Sequence, residues 1–182
     1  MERRLVEQAM RGDEEAFDLL VGRFGDGLHS VAHRILRDTT LAQDATQEAL
    51  LDAWRNLPRL RDPDRFEAWV YRLLVNACYS EARRERRHSG NLRLLPVDEP
   101  VEPDEASRIA TQDQLDRAFR QLSLEHRTVV VLVHYLGQTP MEAAATMGTP
   151  VGTARSRLHY ALQHLRGAIE ADARVPARVG TA

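Results

Sequence analysis

Residues 139–166 read TPMEAAATMGTPVGTARSRLHYALQHLR, and the remainder of the chain makes sense around them. Thr139-Pro140-Met141-Glu142 has the Thr-x-x-Glu form of a capping box with proline at the first helical position, which predicts a short helix ending near Met147. Gly148 tolerates the positive φ of a helix stop, and Thr149-Pro150 repeats the cap-plus-proline signal, so a second helix begins almost at once. Along it Val151, Ala154, Leu158, Ala161, Leu162, Leu165 and Ile169 recur at helical spacing as one apolar stripe. Thr153, Ser156, Arg157, Tyr160, Gln163 and His164 occupy the opposite face. A short helix, a glycine turn and a long helix with a polar, basic outer face have the form of a helix-turn-helix that offers its second helix to a DNA major groove. An ordinary helical hairpin with a merely solvated outer face fits the same residues.

At 182 residues the chain has room for one or two small domains, each with its own core. A net charge of -2 excludes a protein that coats nucleic acid by bulk charge, so any DNA contact must come from local basic patches. Cys78 is the only cysteine, which excludes an intramolecular disulfide and a zinc site built from several cysteines; its apolar helical surroundings predict a buried thiol. None of the seven histidines has a spacing such as HExxH, and His126 and His134 are expected to be surface or structural. Paired carboxylates, a nucleophile-base set and a phosphate loop are all missing, so no catalytic site, metal or cofactor is expected. No apolar run approaches the roughly 18 residues of a membrane span, and the expectation is a soluble cytoplasmic protein without membrane or small-molecule partners.

Ahead of the hairpin the pattern is helical throughout. Asp13 is a candidate cap, and Phe17, Leu20, Val21, Phe24, Leu28, Val31, Ala32, Ile35 and Leu36 follow the rhythm of a buried helix face, with Gly25 and Gly27 leaving open a bend or a split. After a turn at Asp38-Thr39-Thr40, a capping box at Thr40-Leu41-Ala42-Gln43 predicts a helix to about Asn56. Ala49, Leu50, Ala53 and Leu57 point one way along it; Asp44, Gln47, Glu48, Leu51 and Asp52 gather on the other side, for which plain solvation is the ordinary explanation. LPRLRDPDR, residues 57–65, predicts an exposed loop of fixed shape. In the next helix Phe66, Trp69, Val70, Leu73, Leu74 and Ala77 face the core. A separate stripe of Arg72, Asn76, Tyr79 and Arg83 carries the chemistry for holding a phosphate backbone and stacking exposed bases. It runs into Arg83-Arg84-Glu85-Arg86-Arg87, more cations than the macrodipole of one helix end calls for.

From His88 to about Ala110 prolines and acidic residues replace periodicity, which predicts a flexible acidic linker and a domain boundary. The second domain opens with Leu115, Ala118, Phe119 and Leu122 on a helix, and Ser123 caps another through Tyr135. TVVVLV, residues 128–133, has strand propensity, but its helical neighbours and the lack of a partner strand argue for helix. Gly137 ends it, and the tail from Glu170 loses its periodicity and is expected to fray. The fold class is therefore all-α, two small helical domains: residues 1–88, a linker at 89–110, a helix-turn-helix domain at 111–170 and a tail at 171–182.

Three segments in this order resemble a known family. LAQDATQEALLDAWR (residues 41–55) is similar to the polymerase-binding segment of bacterial sigma factors, FEAWVYRLLVNACYSEARRERR (66–87) to their promoter-melting helix, and PVGTARSRLHYALQHLR (150–166) to their upstream-element reader. Order and spacing resemble the compact extracytoplasmic-function (ECF) group of the sigma-70 family, over roughly residues 10 to 170. The resemblance implies that Asp44, Gln47, Glu48, Asp52 and Trp54 dock on the β-prime clamp helices of core RNA polymerase, the β flap being a further contact. It implies that the loop at 57–65, with Arg59, Arg61 and Arg65, captures a flipped base of the −10 element beside Arg72, Asn76, Tyr79, Arg83, Arg84 and Arg87. Extruding a base costs a few kcal/mol of unstacking, so a preformed pocket is physically necessary. Thr139, Thr153, Arg155, Ser156, Arg157, His159 and Tyr160 then meet the −35 element of promoter DNA, Arg155 from the apolar flank and so toward phosphate. An anti-sigma factor is the implied regulator.

Two departures bear on which promoter is read. Met141-Glu142-Ala143-Ala144-Ala145 stands where the family has a glutamate-isoleucine-alanine pattern, and His159-Tyr160 where it often has an aromatic and an arginine. The alternative in another class is a two-domain helix-turn-helix regulator that acts without polymerase.

Overall fold

The computed structural model describes residues 2–88 and 116–173, and no strand occurs among them. The expected linker at 89–110 and most of the expected tail lie outside the described residues. Helix α1 spans Glu2–Met10 and stops at Gly12, whose φ of 91° suits a residue without Cβ. Helix α2 follows over Glu14–Leu36, where the Asp13 carboxylate accepts from the Ala16 N–H at 3.0 Å. It passes Gly25 and Gly27 unbroken. It ends on Arg37 in the left-handed region (φ 58°), a place where glycine is usual, with the Arg37 N–H donating to the His33 carbonyl at 2.7 Å.

Helix α3, Thr39–Asn56, is capped two residues earlier than the sequence pattern predicts. The Asp38 carboxylate accepts from the Leu41 N–H at 2.8 Å, so Thr40 already lies inside the first turn and caps nothing. The segment at 57–65 is more regular than a plain loop. It holds two 3-10 turns, Leu57–Arg59 and Pro63–Arg65, with Leu57 fully buried as an anchor and the Asp62 carboxylate accepting from the Asp64 N–H at 3.1 Å. Helix α4 then runs from Phe66 to His88.

The second half begins with helix α5 at residues 116–121. Helix α6, Leu124–Val130, is capped by Ser123 and passes into a π-turn over Val131–Tyr135, so 128–133 is helical as the sequence predicts. In the π-turn the Leu136 N–H reaches the Val131 carbonyl at 3.1 Å, and Gly137 follows at φ 69°. Helix α7, Pro140–Met147, carries both arms of the expected capping box: the Glu142 N–H donates to the Thr139 hydroxyl at 3.3 Å and the Thr139 N–H to the Glu142 carboxylate at 2.8 Å. Gly148 (φ 62°) closes it, and helix α8 spans Val151–Ala173, reaching three residues past Glu170. The Thr149 hydroxyl is buried without a hydrogen bond, so the proline and not the threonine side chain marks the start of α8.

The alanines at 42, 45, 49 and 53 are all fully buried, so α3 shows α4 a face of small residues and the two helices pack over most of their length. Leu28, Val31 and Ile35 of α2 and Leu74, Val75 and Cys78 of α4 complete this core. The same core continues without a break into Val129, Leu132, Ala143, Met147 and Ala154 of the second half. A smaller cluster of Ala118, Leu122, Val130, Ala161 and Leu165 ties α8 to α5 and α6. The two halves therefore pack against each other.

Candidate functional site

The residues expected to make contacts fall on three surfaces. On the first, Asp44 and Gln47 project from α3 into solvent. Beside them a groove of about 560 Å³ opens between α2 and α3, lined by Phe17, Val21, Gln47, Leu50, Leu51 and Trp54 among others. Trp54 is half-buried and packs against Phe17 in a tilted arrangement, ring centroids 4.8 Å apart and planes at 51°, which holds the indole as one wall. Leu51 is 47% exposed and Leu19 of α2 64% exposed, apolar surface that a second helical partner would bury. Asp52 is half-buried, 3.8 Å from Arg55.

Glu48 departs from the expected acidic face. It is half-buried and turned toward Glu81 of α4, and burial followed by the hydrogen bond with Glu81 raises its pKa. Glu81 is itself 3% exposed and pairs with Arg84. Glu48 is thus a member of the α3–α4 seam. The sequence pattern puts it with Asp44 because only the angular position on one helix is readable, and the carboxylate of the neighbouring helix is not.

The second surface is the turn-rich segment and α4. Arg59, Arg61 and Arg65 are exposed, Arg65 lying 3.6 Å from Asp62. Asp64 pairs with Arg3, so α1 braces the segment from behind. On α4, Arg72, Asn76, Arg83, Arg84 and Arg87 are exposed, a run of cations and one amide along the helix. Tyr79 differs from the rest of its stripe. Its hydroxyl is buried, and burial foremost raises its pKa, while Thr128, Glu125 and Arg157 of the second half lie around it. The Thr128 hydroxyl is committed to the Leu124 carbonyl at 2.7 Å, which leaves the phenol without a hydrogen bond of its own.

On the third surface Arg155, Ser156, His159 and Tyr160 are exposed, Tyr160 at 61%, with the His159 and Tyr160 rings edge-on at 5.8 Å. Thr153 is half-buried and its carbonyl accepts from the Ser156 hydroxyl at 3.0 Å. Thr139 is exposed, but its hydroxyl is occupied by Glu142 at 2.7 Å and serves the helix cap. Arg157 is half-buried near Tyr79, whereas Arg155, assigned to the apolar flank, is exposed.

Two features escape sequence reasoning. The groove needs Phe17 and Val21, which share the apolar rhythm of α2 with Leu20 and Leu28 but are only half-buried; a stripe wider than one partner helix can cover was the available signal. Arg127 is the other. It follows Glu125 and His126 in the polar first half of α6, where a solvated cation is the ordinary expectation, and it reaches across to the first half of the chain.

Comparison with known proteins places the chain in a family. The family model for sigma-70 region 2 matches residues 20–88, and that for sigma-70 region 4 matches 112–165. The chain is 30% identical to the RNA polymerase sigma-H factor of Pseudomonas aeruginosa over 93% of its own length and 94% of that protein's. It is 32% identical to the ECF RNA polymerase sigma factor SigM of Mycobacterium tuberculosis over 84% and 76% respectively. Among solved structures it is similar to CnrH in complex with the cytosolic domain of CnrY (TM-score 0.68, 28% identity, 94% of this chain and 98% of that one). It also shares the fold of the sigma factor RpoE of Bartonella quintana, solved with the anti-sigma factor NepR (TM-score 0.67, 22% identity, 86% and 98%). The chain belongs to the sigma-70 family, as a sigma factor of the extracytoplasmic-function type.

Proposed function

We propose that residues 1–88 join this chain to core RNA polymerase and hold the −10 element, that residues 111–170 read the −35 element, and that 89–110 links the two units and 171–182 is a tail. Asp44, Gln47, Asp52 and Trp54 dock on the β-prime clamp helices, with Leu50 and Leu51 filling the apolar part of that contact. Glu48 supports the docking helix from behind. Arg59, Arg61 and Arg65 with Arg72, Asn76, Tyr79, Arg83, Arg84 and Arg87 hold the melted −10 strand, cations on phosphate and Tyr79 on a base. Arg155, Ser156, Arg157, His159 and Tyr160 meet the −35 duplex, Thr153 and Thr139 standing at its edge. The second unit also meets the β flap. The protein acts in the cytoplasm, and an anti-sigma factor controls it by covering the same surfaces.

The observation that supports this reading best is the open apolar groove beside exposed Asp44 and Gln47, the form in which one protein accepts a helix of another. A regulator that acted on DNA alone would have no use for it. The test is addition of the purified chain to core RNA polymerase with promoter-bearing DNA. Promoter-specific transcripts are expected from the wild type, none from Asp44→Arg, and from Arg155→Ala/Ser156→Ala a loss of transcripts with polymerase binding intact. Transcripts that are unchanged by Asp44→Arg would remove α3 from the docking role.

A further inference from the structure

A buried carboxylate in the α3–α4 seam lies beside the cations assigned to the −10 strand. Glu81 of α4 is almost wholly buried, and a carboxylate so deep between two helices needs a cation and a hydrogen-bond donor. Arg84, one turn on, supplies the cation through Nη1, while half of its side chain stays in solvent on the exposed run of arginines. Glu48 of α3 meets the same carboxylate from the other side of the seam. Two carboxyl groups in contact hold together only when one of them carries a proton and donates it to the other.

Few other groups face the pair. Asp52 of α3 and the Cys78 thiol of α4 lie near it, and the buried residues of α2 and α7, which also pack on α4, are apolar apart from Thr146. Arg84 bears on both glutamates: it pairs with Glu81, and it draws the Glu48 pKa down against the burial and the Glu81 contact that raise it. With Arg84 gone from this position both carboxyl groups lose that counter-charge, and their joint hold on a proton tightens.

A phosphate accepts from arginine as a carboxylate does. The Nη1 donor that Arg84 gives to Glu81 is therefore the one a DNA phosphate would claim, and it serves one anion at a time. Its transfer to the strand leaves Glu48 and Glu81 facing each other, with a proton from solvent held between their oxygens.

We propose that Glu81 stands in for the DNA phosphate in the free protein, that Arg84 passes from Glu81 to the −10 strand on binding, and that the Glu48–Glu81 pair takes up one solvent proton as it does so. This rests on the reading of the −10 surface above. Glu81 and Glu48 are positioning residues, setting where Arg84 lies without touching DNA. A binding step that takes up a proton is strongest at low pH and weakens as pH rises through the titration of the pair, by at most about tenfold per unit of pH.

Two measurements test this. In the free chain, carboxyl carbon-13 NMR follows the titration of Glu48, and Arg84→Ala is expected to move it to higher pH; a titration that stays in place or falls overturns the proposal. In the chain assembled with core RNA polymerase, fluorescence anisotropy follows a dye-labelled −10 single strand from a promoter it transcribes, between about pH 5.5 and 8. Wild-type affinity is expected to fall about tenfold more across that range than the affinity of Glu48→Gln, whose amide donates to Glu81 at every pH. The His88 Nδ1 lies 2.8 Å from the Arg84 carbonyl and imidazoles change charge in the same range, but Glu48→Gln keeps His88, so its contribution cancels in the comparison. Glu85→Gln removes a charge from the same helix, leaves both members of the pair in place and is expected to keep the wild-type slope. A slope unchanged in Glu48→Gln, or flattened equally by Glu85→Gln, overturns the proposal. Strand affinity that Arg84→Ala leaves unaltered at every pH would instead remove Arg84 from the −10 surface, and failure of the wild type to join core polymerase would overturn the reading of function; the proposal falls with either.

Discussion

Glu48 is a carboxylate whose folded surroundings favour its proton, first through burial and then through the hydrogen bond with Glu81. The unfolded chain releases that proton at the ordinary value near 4.5, so above it the folded chain binds more protons and stability falls as pH rises, until the raised folded value is passed. Glu48→Gln removes this dependence. Urea unfolding over a pH series should show the variant gaining on the wild type through that window and keeping a constant lead above it, whereas parallel curves would contradict an upward shift at Glu48. Trp54 is the residue for the opposite experiment, because it is half-exposed and its loss leaves the alanine core of α3 intact. Trp54→Ala should weaken polymerase binding at least tenfold, about 1.4 kcal/mol, with duplex DNA binding unchanged in a mobility-shift titration.

At the scale of elements, α7 and the segment at 57–65 depend on local hydrogen bonds that their own residues specify. Thr139→Ala opens the capping box and should lower stability by about 1 kcal/mol, while Thr139→Asn, which also caps, should restore most of it. If Thr139→Asn regains stability but not −35 binding, the hydroxyl contacts DNA as well. Leu57 and Asp62 fix the shape of the 57–65 segment while Arg59, Arg61 and Arg65 stay in solvent. Replacing those three arginines with glutamine should therefore reduce binding of single-stranded −10 DNA without shifting the unfolding midpoint. The caps of α2, α6 and α7 were legible in the sequence because each is a threonine, serine or aspartate within three residues of the N–H it serves. The cap of α3 was misplaced by two residues because Asp38 and Thr40 both satisfy the local pattern, and only the backbone of the turn selects between them.

For the whole molecule, the helical hairpin at 139–166, the extent of α3 and the exposed cations along α4 could all be read from spacing, since each is a property of one helix or one turn. The packing of the halves could not be. The Arg127 contact joins residues 92 positions apart, and nothing in the pattern of either helix announces it. The burial of Tyr79 and the turn of Glu48 toward Glu81 were lost to sequence reasoning for the same reason. A core shared by both halves has a consequence for unfolding. Leu74→Ala in α4 and Leu132→Ala in the π-turn, both fully buried, should each cost about 2–5 kcal/mol and shift one common transition. Two transitions, each moved by only one substitution, would show that the halves unfold independently.

The association of this chain with core RNA polymerase tests the central claim most directly, measured by fluorescence anisotropy of the labelled full chain titrated with purified core enzyme. Saturable binding is predicted for the wild type and for Arg155→Ala/Ser156→Ala, with binding lost in Asp44→Arg and weakened in Trp54→Ala. Absence of binding by the wild type, or equal binding by all four proteins, would contradict it.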